Sequence, residues 1–240
     1  MTKLSVNINK IATLRNTRDN NIPDLLKFTR IALDAGAQGI TIHPRPDERH
    51  IRTSDVAPLT REVRARGIEL NFEGNPFEGK YLELCLEHRP DQATLVPDTV
   101  AQGTSDHGWN LSRDVSRLRP VIEKLRGNGC RVSLFMDFDS TEVHFARELG
   151  AERIELYTEP FAKSPALAMQ FGEATRKAIA LGLGVNAGHD LNLENLGVLL
   201  KAAPMIAEVS IGHALIGDAL EFGLAGAIKK YLSVIREATK

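Results

Sequence analysis

The sequence contains only two cysteines, Cys85 and Cys130, in 240 residues. They lack the close spacing of a zinc site or a redox motif, so we interpret them as reduced thiols in the protein core. No stretch approaches the roughly 18 consecutive apolar residues of a membrane span, and the first ten residues, MTKLSVNINK, lack the apolar run of a secretory signal. We therefore expect a cytoplasmic protein that does not associate with membranes.

The chain also has little net charge, because 30 lysines and arginines balance 31 aspartates and glutamates to give −1. Proteins that bind nucleic acid or anionic membranes through bulk charge are strongly basic, so this balance argues against both partners. It leaves room for a local basic pocket that binds a small anion.

What the chain does contain is a series of short β-rich segments, each followed by a helical stretch. The eight candidate strands are 4–9, 39–43, 68–73, 92–97, 131–136, 153–158, 183–188 and 207–212. Their spacing of roughly 30 residues is that of a βα unit. Several segments are apolar on both faces, which is typical of parallel strands.

Eight βα units without a linker or a composition break predict a single α/β domain over residues 1–240, a (β/α)8 TIM barrel with extra short helices. The alternative is an open doubly wound sheet, but no G-x-G-x-x-G follows the first strand. The pattern is weakest over 99–125, where Pro120 interrupts it and an extra short helix fits.

In such a barrel the active site lies where the strands end. His43, His189 and His213 stand at three predicted strand ends. Several imidazoles on one rim favour proton-transfer chemistry, because histidine titrates near neutral pH. Glu73 and Glu155 fall within buried strand segments, where a carboxyl group must be paired or protonated. They fit general acid–base catalysis or, alternatively, a structural ion pair in the barrel.

Two anion sites are also predicted. Glycines in AGHD (187–190) and IGHALIG (211–217) would let backbone N–H groups approach a phosphate, with His213 as a further donor. Arg18, Arg45 and His50 could hold a second anion across the rim, although Arg18 fits a surface salt bridge equally well.

The same residues are compatible with two other functions. A metal-dependent lyase or isomerase acting on a sugar phosphate would use histidine and carboxylate ligands, but the chain has no H-E-x-x-H and no H-x-H at the first strand. A barrel that only binds phosphorylated metabolites is the other alternative. We expect no metal site.

Seven motifs in order resemble the pyridoxine 5′-phosphate synthase family. They are VNINKIATLRNTR (6–18), GITIHPRPDERHI (39–51), NFEGN (71–75), LVPD (95–98), VSLFMD (132–137), VNAGHDL (185–191) and SIGHALIG (210–217). The resemblance implies a cofactor-free homo-octameric barrel enzyme of vitamin B6 biosynthesis. It implies that 3-amino-2-oxopropyl phosphate condenses with 1-deoxy-D-xylulose 5-phosphate to give pyridoxine 5′-phosphate, phosphate and water.

The resemblance also implies residue roles. The catalytic acid–base residues implied are His43, Glu73 and His189, with Glu155 stabilising the transition state. The residues implied to bind the amino-ketone phosphate are Asn7, Arg18, Gly212 and His213, and Asp190 is a further substrate-binding position. Those implied to bind the deoxyxylulose phosphate are Arg45, His50 and Thr104, with Asn9 and Lys10 as further candidates. A loop over 98–110 is expected to close over the substrates.

Three positions depart from the family pattern. Asn9 and Lys10 stand where the family has an aspartate and a histidine, and Asp190 replaces a glycine. Lys10 can still meet a phosphate or hydroxyl group as a point charge. The backbone N–H of Asp190 can still face a phosphate if its carboxylate points away.

Overall fold

The computed structural model describes residues 1–239, in which eight parallel strands pair in chain order and close into a barrel through β1 and β8. The strands are β1 (Lys3–Asn7), β2 (Gly39–Ile42), β3 (Glu69–Gly74), β4 (Gln92–Leu95), β5 (Arg131–Met136), β6 (Arg153–Tyr157), β7 (Gly184–Gly188) and β8 (Glu208–Ile211). Every predicted strand is present, with its ends displaced by two residues at most. The predicted (β/α)8 barrel is confirmed, and closure excludes the open sheet.

The helices surround the barrel and connect consecutive strands. They are α1 (Asn9–Asn16), α2 (Leu25–Asp34), α3 (Thr53–Ala65), α4 (Tyr81–His88), α5 (Leu111–Gly127), α6 (Val143–Glu148), α7 (Glu159–Lys163), α8 (Ala168–Ala180), α9 (Leu196–Ala202), α10 (His213–Phe222) and α11 (Leu224–Ala238). Three connections hold an additional helix (α1, α7 and α10) directly after the strand. These additional helices lie at the carboxyl ends of the strands, where the site is expected.

Helix α1 occupies a segment that the sequence pattern assigned to a strand end and a loop. Arg15 is fully buried on this helix and forms a bidentate ion pair with Asp55 of α3, with nitrogen–oxygen distances of 2.6 and 2.8 Å. The pair docks α1 against the next βα unit. The polar sequence around Asn9 concealed this helix, because its main anchor is a charge rather than an apolar face.

Pro120 was expected to interrupt the helical pattern, but it does not. It lies inside α5, a continuous helix from Leu111 to Gly127. Pro120 and Ser116 are both exposed, so water can bond the carbonyl oxygen that a proline N–H cannot reach.

The two faces of the barrel wall have different chemistry. Outward-facing side chains such as Leu4, Val6, Ile40 and Ile42 are fully buried against the helices. The interior is polar, although branched apolar residues usually fill such barrels. Its hydrogen bonds link strands around and across the barrel through Ser5, Thr41, Asn71, Thr94, Gln92, Asn186 and Arg153.

Charged side chains close the amino-terminal end of this polar interior. Glu69 is paired with Arg131 and with Lys3. Glu208 is buried and lies 3.8 Å from Arg153. Burial, together with the negative charge of Glu69, raises the pKa of Glu208 to about 8. The barrel thus buries a carboxyl group that stays protonated at neutral pH.

Cys85 and Cys130 are both buried and free, as the sequence predicted. Within residues 1–239, every helix is too short or too polar to traverse a lipid bilayer.

Candidate active site

A cavity of about 370 Å³ opens at the carboxyl ends of the strands. All the predicted site residues except Arg18 line it: Asn7, Asn9, Lys10, His43, Arg45, His50, Glu73, Thr104, Glu155, His189, Asp190, Gly212 and His213. A larger groove of about 740 Å³ lies outside the barrel beside α6 and α8 and holds none of these residues. The cavity is therefore the candidate active site.

Arg18 lies just beyond the end of α1, where it is exposed, and it does not line the cavity. Its predicted contact with the amino-ketone phosphate stays a prediction.

Two asparagines join the first three strands at the cavity floor. The Asn7 side chain accepts a hydrogen bond from the Asn9 backbone N–H at 3.0 Å and donates to Glu73 at 3.3 Å. Asn9 accepts from the His43 backbone N–H at 2.9 Å. These bonds fix the start of α1 relative to two predicted catalytic residues, and an amide at position 9 suffices for this contact.

Glu73 and Glu155 lie inside the barrel, and the pKa values of both carboxyl groups are raised. Burial, together with the negative charge of Asp98, raises the pKa of Glu73 to about 8. Burial raises the pKa of Glu155 well above its usual value, with a second contribution from Glu73. One oxygen of Glu155, Oε2, has no hydrogen-bond partner among the described residues. Both carboxyl groups can therefore hold and donate a proton at neutral pH.

Because Gly188 has no side chain, the carboxyl group of Glu155 can occupy the space beside it. A Cβ atom at position 188 would lie 2.5 Å from Oε1 of Glu155. Only a residue without a side chain fits there, so the end of β7 is adapted to the carboxyl group of β6.

Three of the cavity histidines, His43, His50 and His189, have lowered pKa values. Burial lowers the pKa of His43 well below its usual value, and the neighbouring groups His50 and Arg45 lower it further. Burial, helped by Arg45 and Lys10, lowers the pKa of His50 to about 4. The Ile51 backbone N–H donates to Nδ1 of His50 at 3.0 Å, which leaves the proton on Nε2. His50 is thus a fixed donor.

His189 and Asp190 occupy an unusual backbone turn, with φ angles of 83° and 55°. Left-handed backbone favours glycine, and aspartate tolerates it better than most residues, which accounts for a family glycine at position 190. Thr158 bonds the carbonyl oxygens of Gly188 and His189, and Asn195 bonds that of Asp190 at 3.0 Å. Burial lowers the pKa of His189, whereas the Asp190 charge opposes this shift.

One wall of the cavity is the amino terminus of α10. Gly212 precedes this ten-residue helix, whose first turn has neither an acidic residue nor a side-chain cap. A Cβ atom at Gly212 would lie 3.2 Å from the Asn7 side chain. The free N–H groups of this turn, beside His213, form a site for an anion.

The opposite wall carries two arginines that hold the β4–α5 loop. Arg45 donates to the carbonyl oxygens of Thr99 and Gln102 at 2.7 and 3.0 Å. Arg49 donates to those of Val100 and Gln102 at 2.7 and 2.9 Å. Arg49 lines the cavity and was not among the predicted site residues, although its place directly before His50 was a usable signal.

Further along the same loop, Trp109 is anchored to the barrel. Its indole N–H donates to the Leu95 carbonyl oxygen at 2.8 Å, and its backbone N–H donates to that of Phe135 at 2.9 Å. Phe77 packs edge-on against the indole, with ring centres 6.1 Å apart. The loop therefore has a fixed end at Trp109.

No group of three or more histidine, cysteine, aspartate or glutamate side chains within residues 1–239 is arranged to hold a metal ion. The metal-dependent alternative therefore gains no ligand set from the described part of the chain.

The family model of the pyridoxal phosphate biosynthesis protein PdxJ matches residues 4–237. The chain is 50% identical over 246 residues to the pyridoxine 5′-phosphate synthase of Xylella fastidiosa (strain 9a5c), covering 98% of this chain and 95% of that protein. It is 51% identical over 247 residues to the protein of that name from Xanthomonas campestris pv. campestris (strain B100), covering 98% and 96%.

Solved structures with low sequence identity share the fold. Thiamine phosphate pyrophosphorylase from Pyrococcus furiosus aligns with a TM-score of 0.65 at 13% identity, covering 100% of this chain and 97% of that one. The tryptophan synthase alpha subunit from Legionella pneumophila aligns with a TM-score of 0.63 at 16% identity, covering 99% and 92%. These likenesses concern the barrel alone.

Proposed function

Because the chain belongs to the PdxJ family of pyridoxal phosphate biosynthesis proteins, we propose that it is a pyridoxine 5′-phosphate synthase. It condenses 3-amino-2-oxopropyl phosphate with 1-deoxy-D-xylulose 5-phosphate and releases phosphate and water. One observation carries the proposal: a single cavity places protonated carboxyl groups and neutral imidazoles between two walls suited to phosphate.

The two walls would separate the two phosphates. The α10 wall, with Asn7, Gly212, His213 and the backbone N–H of Asp190, receives the amino-ketone phosphate. The opposite wall, with Arg45, His50 and Thr104, receives the deoxyxylulose phosphate. Asn9 and Lys10 stand beside it as further contacts, and Arg18 belongs to the first set as a prediction from the family pattern.

Ring closure needs proton transfers in both directions, and the cavity supplies groups for each. Imine formation and dehydration require an acid near the departing oxygen, a role suited to the protonated Glu73 and Glu155. Enolisation requires a base, a role suited to the neutral His43 and His189. No side chain has to bond covalently to either substrate.

The direct test is to incubate the purified protein with both phosphorylated substrates and chelator, and to measure pyridoxine 5′-phosphate by mass spectrometry. We expect product and free phosphate in equal amounts, without an added cofactor or metal. His43→Ala should lower turnover by about 100-fold or more, because it removes an acid–base group. If a curated relative forms product under these conditions and this protein does not, the proposal is wrong.

The family resemblance also leads us to propose a cytoplasmic homo-octamer. Leu220 and Phe222, which are 84% and 44% exposed at the end of α10, offer apolar surface to another subunit. Light scattering should give the mass of eight 26.4 kDa chains. A monomeric mass at micromolar concentration would contradict the assembly without affecting the proposed reaction.

A further inference from the structure

Asp98 lies behind the cavity wall, just after β4, and is only 3% exposed. Its Oδ2 atom accepts a hydrogen bond from Ser105 at 2.7 Å and lies 3.2 Å from Nη1 of Arg45. Its Oδ1 atom is buried without a hydrogen-bond partner among the described residues. Both side chains that the carboxylate contacts line the cavity.

Arg45 is 5% exposed, and its guanidinium group is held on two sides. Nη1 meets Asp98, and Nη2 meets the Thr99 and Gln102 carbonyl oxygens. These bonds use three of the five N–H groups; the Nε–H is buried and unpartnered among the described residues, and one N–H of Nη1 is not used by Asp98. A buried ion pair that leaves polar atoms unsatisfied on both partners is a poor device for stability. Its geometry instead leaves the guanidinium with donor capacity for an additional anion.

The loop also has contacts that do not involve the Asp98 carboxylate. The Asp98 backbone carbonyl oxygen accepts from the Asn75 side chain at 2.8 Å. Arg49 separately holds the carbonyl oxygens of Val100, Gln102 and Gly103. The carboxylate therefore acts mainly on Arg45 and Ser105, and the backbone contacts help to place the loop.

We propose that Asp98 is a positioning residue for substrate binding, which orients the Arg45 guanidinium toward the phosphate of the sugar substrate; this inference rests on the proposed function. The carboxylate holds one edge of the guanidinium, and the arriving phosphate supplies the acceptor that the remaining N–H groups lack. Asp98 touches neither substrate, so its effect passes through Arg45.

The charge of Asp98 extends to the acid–base groups. Next to burial, it is the largest cause of the raised pKa of Glu73. It also favours the protonated form of His189. Burial raises the pKa of Asp98 itself, whereas the Ser105 hydroxyl and Arg45 lower it. One carboxylate thus links the sugar-phosphate wall to the catalytic groups.

The test compares wild type, Asp98→Asn and the matched control Asp139→Asn, an exposed aspartate after β5 that is outside the cavity. Steady-state rates are measured while each substrate is varied in turn. For Asp98→Asn we expect KM for the sugar phosphate to rise by about 10-fold to 100-fold, since the hydrogen bond with Arg45 loses the negative charge that strengthens it. KM for the amino-ketone phosphate should stay within about twofold, because that substrate meets the opposite wall. Asp139→Asn should behave as wild type.

Equal increases in both KM values, or no increase in either, would overturn the inference. If wild type forms no product, the proposed function itself has failed, which is a different result. Calorimetry with 1-deoxy-D-xylulose 5-phosphate alone gives a readout without turnover. If Asp98→Asn does not fold, Ser105→Ala decides, because it loosens the carboxylate and keeps its charge. Weaker binding of the sugar phosphate supports the inference, and unchanged affinity contradicts it.

Discussion

Glu73 is a carboxyl group that keeps its proton because of where β3 places it. Glu73→Gln preserves the shape of the protonated group and its hydrogen bonding but cannot transfer a proton. We expect turnover to fall by about 100-fold or more, with the fold retained. Steady-state rates and far-ultraviolet circular dichroism measure the two effects. A glutamine variant with full activity would remove Glu73 from the chemistry.

Glu73 should also affect how the free energy of unfolding depends on pH. The pKa of Glu73 rises from 4.5 to about 8 on folding, so between these values the folded state keeps a proton that the unfolded chain has lost. Wild-type stability therefore falls as pH rises through this window, by at most about 1.4 kcal/mol per pH unit from this group. Glu73→Gln should gain stability relative to wild type as pH rises toward 8, as measured by urea unfolding. A constant difference between the two proteins would contradict this pKa.

At the scale of single residues, the sequence located the candidate acid–base groups but not the side chains and backbone atoms that they contact. Strand-end position identified His43, Glu73 and His189, and alternation placed Glu155 inside the barrel; their roles stay predictions. The pairing of Arg45 with Asp98 joins loops 53 residues apart, and no local pattern records that approach. Arg49 stands directly before His50, which was a local signal, but its partners are backbone atoms of a distant loop that the sequence does not reveal.

At the scale of elements, β6 and β7 meet where Gly188 makes room for Glu155. Gly188→Ala should displace the carboxyl group, destabilise the protein by about 1 to 3 kcal/mol and reduce turnover. Gly217→Ala is the matched control, because a Cβ atom there meets nothing within 4 Å and alanine favours helix α10. Thermal unfolding and turnover of both variants measure the contrast. Equal behaviour of the two would show that the close approach at Gly188 has no cost.

Among the elements, the strands were predictable and two helical features were not. Each strand segment is short and β-rich, carries apolar residues on its outward face and is followed by a helical stretch, so all eight were visible. Helix α1 begins among polar residues and is anchored by the Arg15–Asp55 pair, which only the folded chain brings together. Pro120 ordinarily disrupts a helix, and its tolerance in α5 depends on which side of the helix faces water.

The whole molecule should respond to pH through two opposed sets of buried groups. Burial lowers the pKa of His43, His50 and His189, so their contribution to stability is lost as pH falls below 6.5. Glu73 and Glu208, with pKa values raised to about 8, reduce stability as pH rises above 4.5. Between pH 6.5 and 8 only the carboxyl groups still change the free energy of unfolding, because the histidines are neutral in the folded and the unfolded chain.

We therefore expect the free energy of unfolding to fall between pH 6.5 and 8, by on the order of 2 kcal/mol per pH unit. Urea unfolding at both pH values measures this slope. Glu208→Gln should reduce it, since one of the titrating buried carboxyl groups is gone, whereas Glu123→Gln on the exposed side of α5 should not. A wild-type stability that rises over the interval would refute the assignment of raised pKa values.

The polar interior is also a property of the whole barrel. The contact between Asn186 and Gln92 spans 94 residues and crosses from β7 to β4. Alternation reveals which residues face inward, but the pairing across the barrel depends on the stagger of all eight strands. The sequence therefore predicts the barrel more completely than the network within it.

Trp109 gives the chain an internal optical probe. It is the single tryptophan of the sequence, and it sits where the loop that walls the cavity returns to the barrel. Its emission therefore comes from one known place and needs no label or subtraction. A change in emission wavelength or intensity on adding one substrate reports a change in the surroundings of that loop, on the timescale of a rapid-mixing instrument. The same anchor that fixes the loop thus makes ligand arrival visible before any product forms.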